Sequence, residues 1–195
     1  MRIALLIAAS LLATACNERA GNDDRTAEGT APAQNGTDSA FADQPPTAPG
    51  FASAVAMADM YEVTAGRIAL EKGRSEAVRT FAQMMVADHT KSSRELEDAL
   101  GDTGDDFSMP ASLDTARQAQ IDILESLQGE AFDREYLSQQ TAAHAKTLEL
   151  LKAYGASGDV AELRQFAQST IPVVQKHKDW LATNPIMPAA ATTAR

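Results

Sequence analysis

The chain has 195 residues, with 17 Lys or Arg against 27 Asp or Glu, a formal net charge of −10. A surface of that sign repels phosphate backbones, so nucleic acid is excluded as an expected partner. Only 5% of the residues are aromatic, and the abundance of Ala, Leu, Glu, Gln and Met favours helices over β-sheet.

The N-terminus has the pattern of a secretion signal. Arg2 supplies a positive charge, residues 3–12 form an apolar run, and residues 13–15 (Ala-Thr-Ala) form a small-residue cleavage site. An apolar run of about ten residues is too short to span a bilayer as a mature helix. We therefore predict that residues 1–15 are a signal peptide and that the mature protein lies on the periplasmic side of the cell envelope.

Cys16 is the only cysteine of the chain and directly follows this cleavage site. The segment LATAC, which ends at Cys16, resembles the lipobox of bacterial lipoproteins, whose cysteine is acylated before cleavage. A lone thiol in an oxidising compartment has no intramolecular partner, and acylation removes its reactivity. An ordinary signal peptidase would also accept residues 13–15, and the protein would then be secreted to the periplasm. We predict a lipid anchor on Cys16, and Asn17, which is not the Asp associated with inner-membrane retention, favours the outer membrane.

Residues 16–50 have the composition of a tether. Small and polar residues and four prolines dominate the segment after Cys16, and Phe41 is its one large apolar residue. Such a segment cannot bury a core and is predicted to be disordered. Its root-mean-square span is roughly 30 Å, which is enough to hold a domain away from a membrane surface.

Residues 51–182 form the predicted domain, because apolar residues recur there at helical spacing. The pattern predicts an all-α, up-and-down bundle of four main helices and one short helix. The predicted helices run from Phe51 to Gly73, from a Ser75 N-cap to about Leu100, between Pro110 and Gly129, from Phe132 to about Tyr154, and from an Asp159–Glu162 capping box to about Leu181. The short turns predict antiparallel neighbours. Residues 183–195 have no periodicity and are predicted to form a flexible tail.

The three histidines fall on the apolar stripes of three different helices and are predicted to face the interior. They are His89, His144 and His177, and Glu62 occupies the stripe of the first helix. Inward His and Glu side chains in a bundle can bind iron, copper or zinc. The same residues are equally explained as buried polar groups satisfied by hydrogen bonds, with Glu62 paired to an arginine such as Arg79 or Arg134.

The distance of each residue along its helix helps to distinguish a shared metal site from separately hydrogen-bonded residues. From the turn after the first helix, Glu62 lies about 17 Å up one helix and His89 about 23 Å up the next, so they are compatible neighbours. From the turn after the fourth helix, His144 lies about 18 Å away and His177 about 31 Å. The mismatch predicts that the three histidines do not share one metal ion.

Methionine sulfur is a second candidate ligand, because thioethers near His89 can bind copper(I). The residues concerned are Met57, Met60, Met84 and Met85. Methionine at helical spacing more commonly fills irregular gaps in a core, since its side chain is flexible.

Three segments of the domain resemble a known family. They are VRTFAQMMVADHTKSSRELEDAL from Val78, FDREYLSQQTAAHAKTLELL from Phe132, and LRQFAQSTIPVVQKHKDWL from Leu163. These segments are similar to the bacterial domain-of-unknown-function family numbered 4142, predicted envelope proteins with a ferritin-like fold. The resemblance implies a ferritin-like bundle over about residues 51–181 and no particular activity.

Di-iron proteins of the ferritin-like class place Glu three residues before His on two helices. In this chain Val86, Thr141 and Val174 stand at the corresponding positions before the three histidines. Since none of these side chains can bridge two metal ions, the resemblance does not imply di-iron oxidase or ferroxidase activity.

The sequence contains no nucleophile with its base, no Gly-rich phosphate loop and no CxxC pair, so no catalytic residue is predicted. The leading hypothesis is a non-enzymatic, membrane-tethered helical domain without a cofactor, which binds an envelope partner or has a structural, stress-related role. The alternative is a metal-binding or redox bundle that uses Glu62 and His89, with His144 or methionine sulfur.

The lipid anchor is tested by the intact mass of the mature protein from a membrane fraction. We expect a mass above that of residues 16–195 by the acyl chains on Cys16, because acylation precedes cleavage. The Cys16→Ser variant is the control and should leave the membrane fraction. An unmodified thiol at residue 16 of the membrane-bound protein would contradict the prediction.

Overall fold

The computed structural model describes residues 47–103 and 107–184, which contain helices and no strand. The five helices are α1 (Ala48–Lys72), α2 (Glu76–Thr103), α3 (Thr115–Ser126), α4 (Gly129–Ser157) and α5 (Ala161–Thr183). The prediction of an all-α bundle with four main helices and one short helix is confirmed. The predicted signal peptide, Cys16, most of the tether and most of the tail lie outside the described residues.

The four long helices form two hairpins that pack side by side. Short turns join α1 to α2 and α4 to α5, and these pairs have the most extensive contacts. Helix α1 also packs against α4, α2 packs against α5, and the short α3 lies against α1 and α4. Pro172 lies within α5, which continues to Thr183. Among the described helices, none combines the length and the apolar character needed to span a bilayer.

Helix α1 begins at Ala48, three residues before the predicted start at Phe51. Pro49 lies in its first turn, where a missing backbone N–H costs nothing. The sequence alone suggested a linker here, because proline is common in linkers. The start of α2 follows the prediction, since the Ser75 hydroxyl accepts a hydrogen bond from the Val78 N–H at 3.2 Å.

The predicted capping box at the start of α5 is wrong. Val160 is the N-cap of α5 and makes no side-chain cap. The Asp159 carboxylate instead accepts hydrogen bonds from the Tyr154 hydroxyl at 2.8 Å and from the Ala48 N–H at 3.3 Å. A contact between distant parts of the chain has therefore replaced the local cap, and it attaches the start of α1 to the α4–α5 turn.

Two apolar clusters fill the bundle, one toward each end. The first joins the start of α1 to the α4–α5 turn and includes a stacked pair, Phe51 and Tyr154, with ring centroids 3.9 Å apart. The second includes Phe81, whose ring stacks on Trp180 at 4.5 Å. On all four long helices the residues between these clusters are polar and buried, so a polar layer crosses the middle of the bundle.

Gly158 provides a test of the packing at the α4–α5 turn. A Cβ atom at this position would lie 2.4 Å from the Tyr154 ring, whereas one at Gly101 would meet nothing within 4 Å. We expect Gly158→Ala to lower the free energy of unfolding by about 1–3 kcal/mol, because the ring must move. The matched control, Gly101→Ala, should raise it by about 0.5–1 kcal/mol, because alanine favours the helix. Urea unfolding measures both, and equal effects would contradict the packing.

Candidate metal centre

The polar layer contains all three histidines. Its buried members are Asp59, Glu62, His89, Ser92, Gln139, Gln140, His144 and His177. The imidazoles are 5%, 1% and 0% exposed in chain order. The predicted inward direction of the histidines and of Glu62 agrees with this burial.

The three imidazole rings meet in one place. One ring nitrogen from each of His89, His144 and His177 lies within 4.8 Å of the other two. The ring centroids are 5.2 to 5.7 Å apart, and His144 Nε2 lies 3.2 Å from His177 Nδ1. The prediction that His177 lies too far away to share a site is therefore wrong.

The height estimate failed because it counted turn residues as helical rise. Helix α4 ends at Ser157 and α5 begins at Ala161, and the residues between them reverse the chain direction. Measured from these helix ends, His144 lies about 20 Å and His177 about 24 Å along its helix. The remaining difference is less than one turn, and the side chains span it.

Each ring has an acceptor behind it. His89 Nδ1 lies 2.7 Å from the Asp59 carboxylate, and His177 Nε2 lies 2.9 Å from the Asp88 carboxylate. His144 Nδ1 lies 2.9 Å from the Gln140 carbonyl oxygen. A carbonyl or an ionised carboxylate can only accept, so the outer nitrogen of each ring carries a proton and donates a hydrogen bond.

When the rings are neutral, their inner nitrogens consequently present unshared electron pairs to one another. The pairs of His144 Nε2 and His177 Nδ1 face each other across 3.2 Å, and His89 Nε2 is buried with no hydrogen-bond partner among the described residues. A buried polar atom without a partner costs about 1–3 kcal/mol. A metal cation satisfies such converging acceptors, and two imidazole nitrogens on a tetrahedral zinc ion are about 3.3 Å apart, close to the His144–His177 separation.

Glu62 lies beside this site, on the outer side of His144. Its carboxylate accepts a hydrogen bond from Gln140 Nε2 at 2.6 Å and lies 3.8 Å from His144 Nδ1. Arg79, one of the predicted partners of Glu62, pairs with Glu76 instead, and within the described residues Glu62 has no ion pair with an arginine. Glu62 therefore lies near the three inner nitrogens but is not one of the groups that converge with them.

The pKa shifts reflect burial and the surrounding carboxylates. Burial lowers the pKa of His144 to about 3, and the charges of His89 and His177 act in the same direction. Burial also lowers the pKa of His177, although its hydrogen bond to Asp88 opposes this. Burial raises the pKa of Glu62 to about 7, against the opposing charge of His89.

His89 behaves differently from the other two rings. Burial alone would lower its pKa, but the hydrogen bond to Asp59 and the charges of Glu62, Asp59 and Asp88 raise it overall. The region around His89 Nε2 thus favours positive charge. A proton held there occupies the position that a metal ion would take, so a metal must compete with that proton.

The methionines lie in ordinary packing positions. Met85 is fully buried in the apolar cluster around Phe81, and Met84 packs against the edge of that cluster. Met60 lines a groove on the outer face of α1 and α2, and Met57 is half-buried. Copper(I) binding by thioethers stays a prediction.

Sequence reasoning missed the two carboxylates behind the histidines. Asp59 lies four residues after Val55 and three before Glu62, a spacing that places all three on one helical face. The neighbouring Ala58 is apolar and fits a hydrophobic stripe better by residue type, so the pattern alone does not single out Asp59. Asp88 is 89 residues from His177, and no periodicity within one helix reveals such a partner.

Comparison with known proteins gives the class of this bundle. The fold is similar to a solved structure titled as a DUF305 fragment from Deinococcus radiodurans, with 17% sequence identity and a TM-score of 0.61. The match covers 72% of this chain and 97% of that chain. This likeness shows the fold alone, and the predicted ferritin-like helical fold is confirmed.

The sequence itself gives the family. Residues 30–182 match the model of DUF4142, a domain of unknown function, and the chain belongs to that family. No curated protein matches the sequence. The family resemblance of the three segments is thus confirmed, and the activity of the domain stays open.

The low pKa of His144 predicts a pH dependence of stability. Between pH 6.5 and about 3 the unfolded chain holds a proton on His144 that the folded chain does not. The His144 ring therefore does not reduce the free energy of unfolding above pH 6.5. It reduces that free energy progressively as the pH falls from 6.5 to about 3. Glu62 acts in the opposite direction over part of this range, so the test compares wild type with His144→Gln in metal-free solution.

We expect the difference in unfolding free energy between the two proteins to change by about 2–3 kcal/mol from pH 6.5 to pH 4.5, with wild type losing more. Urea unfolding at both pH values measures this difference. A difference that stays constant with pH would contradict the shift. NMR titration of the His144 ring is an independent check, because the ring should show no titration above pH 5.

Proposed function

We propose that this domain binds one divalent transition-metal ion through His89, His144 and His177. The observation that carries the proposal is the convergence of three ring nitrogens within 4.8 Å of one another, with an acceptor behind each ring. Metal-ligating histidines characteristically donate their other N–H to a carboxylate or a carbonyl, which fixes the ring and the tautomer.

The donor set indicates which ions fit. Imidazole nitrogen suits zinc, copper, iron and nickel, whereas hard cations such as magnesium prefer oxygen. Asp59, Glu62 and Asp88 lie around the rings, and all three charges raise the pKa of His89. Their negative field favours a dication at the three inner nitrogens, where it displaces any proton on His89. We therefore propose zinc or copper(II) as the preferred ion.

The burial of the rings favours binding of an ion over catalysis on a larger substrate. The most exposed ring, that of His89, is only 5% exposed. A water-sized species or a bare ion fits at such a depth after small local motions, and a bulky substrate does not. We infer that the domain holds or buffers a metal ion and is not an enzyme.

The location of this function is also a proposal. The signal pattern and Cys16 support a lipid-anchored protein on the periplasmic face of the envelope, with the outer membrane favoured. The net charge of −10 supports a partner that is a protein or a metal ion and not a nucleic acid.

A second candidate function is a metal-free module in which the polar layer fixes the helix register. The hydrogen bonds from Gln140 to Glu62 and from Tyr61 to Gln139, at 2.6 Å each, support this alternative. Buried polar networks can specify one packing arrangement at a cost in stability.

Metal analysis of protein purified without chelator separates the two functions. We expect about one zinc or copper per chain, and His89→Gln or His177→Gln should abolish binding, because two nitrogens do not retain a buried ion. Asp59→Asn should weaken binding about 10- to 100-fold, since its carboxylate orients His89. Saturating metal should raise the melting temperature of wild type.

Met60→Leu is the matched control, because it changes a residue of the same helix α1 outside the three-histidine site. It should bind metal like wild type. Loss of binding in Met60→Leu would favour the thioether site. Metal-free protein whose melting temperature does not respond to zinc or copper(II) would sink the proposal and favour the metal-free module.

A further inference from the structure

A small cavity of about 120 Å³ lies between α2 and α5, next to the three-histidine site. Asp88, Lys91 and Glu95 of α2 line one side of it, and Ser169 of α5 lies on the other. The Asp88 carboxylate also accepts a hydrogen bond from His177 Nε2, at 2.9 Å. The cavity wall therefore includes a direct partner of a proposed metal ligand.

Asp88 is the most exposed of the three acceptors behind the rings. Its side chain is 31% exposed, whereas Asp59 is 3% and Gln140 0% exposed. The Asp88–His177 pair thus has one end at the cavity, while His177 Nδ1 faces the other rings. Through Asp88, the cavity is therefore one hydrogen bond away from the His177 ring.

A second cavity of about 280 Å³ shares Glu95 and Ser169 with the first. It adds three acidic side chains, those of Asp98, Asp102 and Glu162, and no Lys or Arg is among its lining residues. We call the two cavities together the acidic cleft. Its α2 carboxylates recur at helical spacing from Asp102 to Asp88, so they form a line that leads to His177.

Within the part of the chain that the structure describes, Lys91 is the one cationic side chain that lines the acidic cleft. Its ammonium pairs with Glu95 at 2.6 Å, next to Asp88. A cation that reached Asp88 through the acidic cleft would pass this ammonium, which would oppose its passage. The carboxylates attract the same cation, and a cleft lined by one sign of charge raises the association rate of the opposite sign.

We propose that divalent cations enter and leave the three-histidine site through the acidic cleft, with Asp88 as the positioning residue at its inner end. This inference rests on the proposed metal-binding function and adds the path to the site. The carboxylates stabilise the passing ion more than the bound one, since the bound ion lies behind the Asp88–His177 pair. Their removal should slow association and dissociation together.

Stopped-flow absorbance with Co²⁺ as the probe tests the path. We expect Glu95→Gln/Asp98→Asn to associate about five- to tenfold more slowly than wild type at low ionic strength, with a dissociation constant changed by less than about twofold. The difference should shrink at high salt, because exposed charges are screened. Lys91→Gln should associate about two- to fivefold faster, which a general loss of stability would not produce.

The matched control is Glu71→Gln/Glu97→Gln, which removes the same net charge from exposed positions outside the acidic cleft. It should keep wild-type rates. Equal slowing in both double variants, or no slowing in either, would overturn the path while leaving the metal site in place. A wild-type protein that does not bind Co²⁺, zinc or copper(II) would overturn the proposed function and, with it, the path.

Discussion

The central constraint in this structure is the orientation of three imidazole rings by hydrogen bonds on their outer sides. Each outer nitrogen donates a hydrogen bond to Asp59, to the Gln140 carbonyl or to Asp88, so the inner nitrogens of the neutral rings keep their unshared pairs. Replacing such a layer with aliphatic side chains is often neutral or stabilising. A polar layer that leaves His89 Nε2 without a partner is poorly explained by stability alone.

The rest of the bundle makes this arrangement rigid. Apolar clusters above and below the polar layer hold all four long helices in register. The rings come from α2, α4 and α5, and the surrounding carboxylates from α1 and α2. A displacement of one helix along its axis would therefore separate a ring from its acceptor. Close packing opposes such a displacement, because interiors have few voids into which side chains can move.

The sequence was sufficient for the fold and for the direction of the histidines. Helical periodicity and turn residues define the helix order, and His89, His144 and His177 occupy apolar stripes that must face inward. The meeting of the three rings was not predictable from counted rise, because the length of a non-helical turn sets the relative height of two helices. Asp59, Asp88 and Asp159 have partners on other helices, and local patterns do not contain that information.

The attachment of Ala48 to Asp159 has a mechanical consequence. Any tension on the chain before Thr47 is applied first at the Ala48 N–H, whose hydrogen bond to Asp159 and neighbouring Phe51–Tyr154 stack connect it to the opposite hairpin. The load is therefore shared between the two hairpins. The first turn of α1 does not bear it alone. The start of α1 is thus secured against pulling by a hydrogen bond and a ring stack to the opposite hairpin.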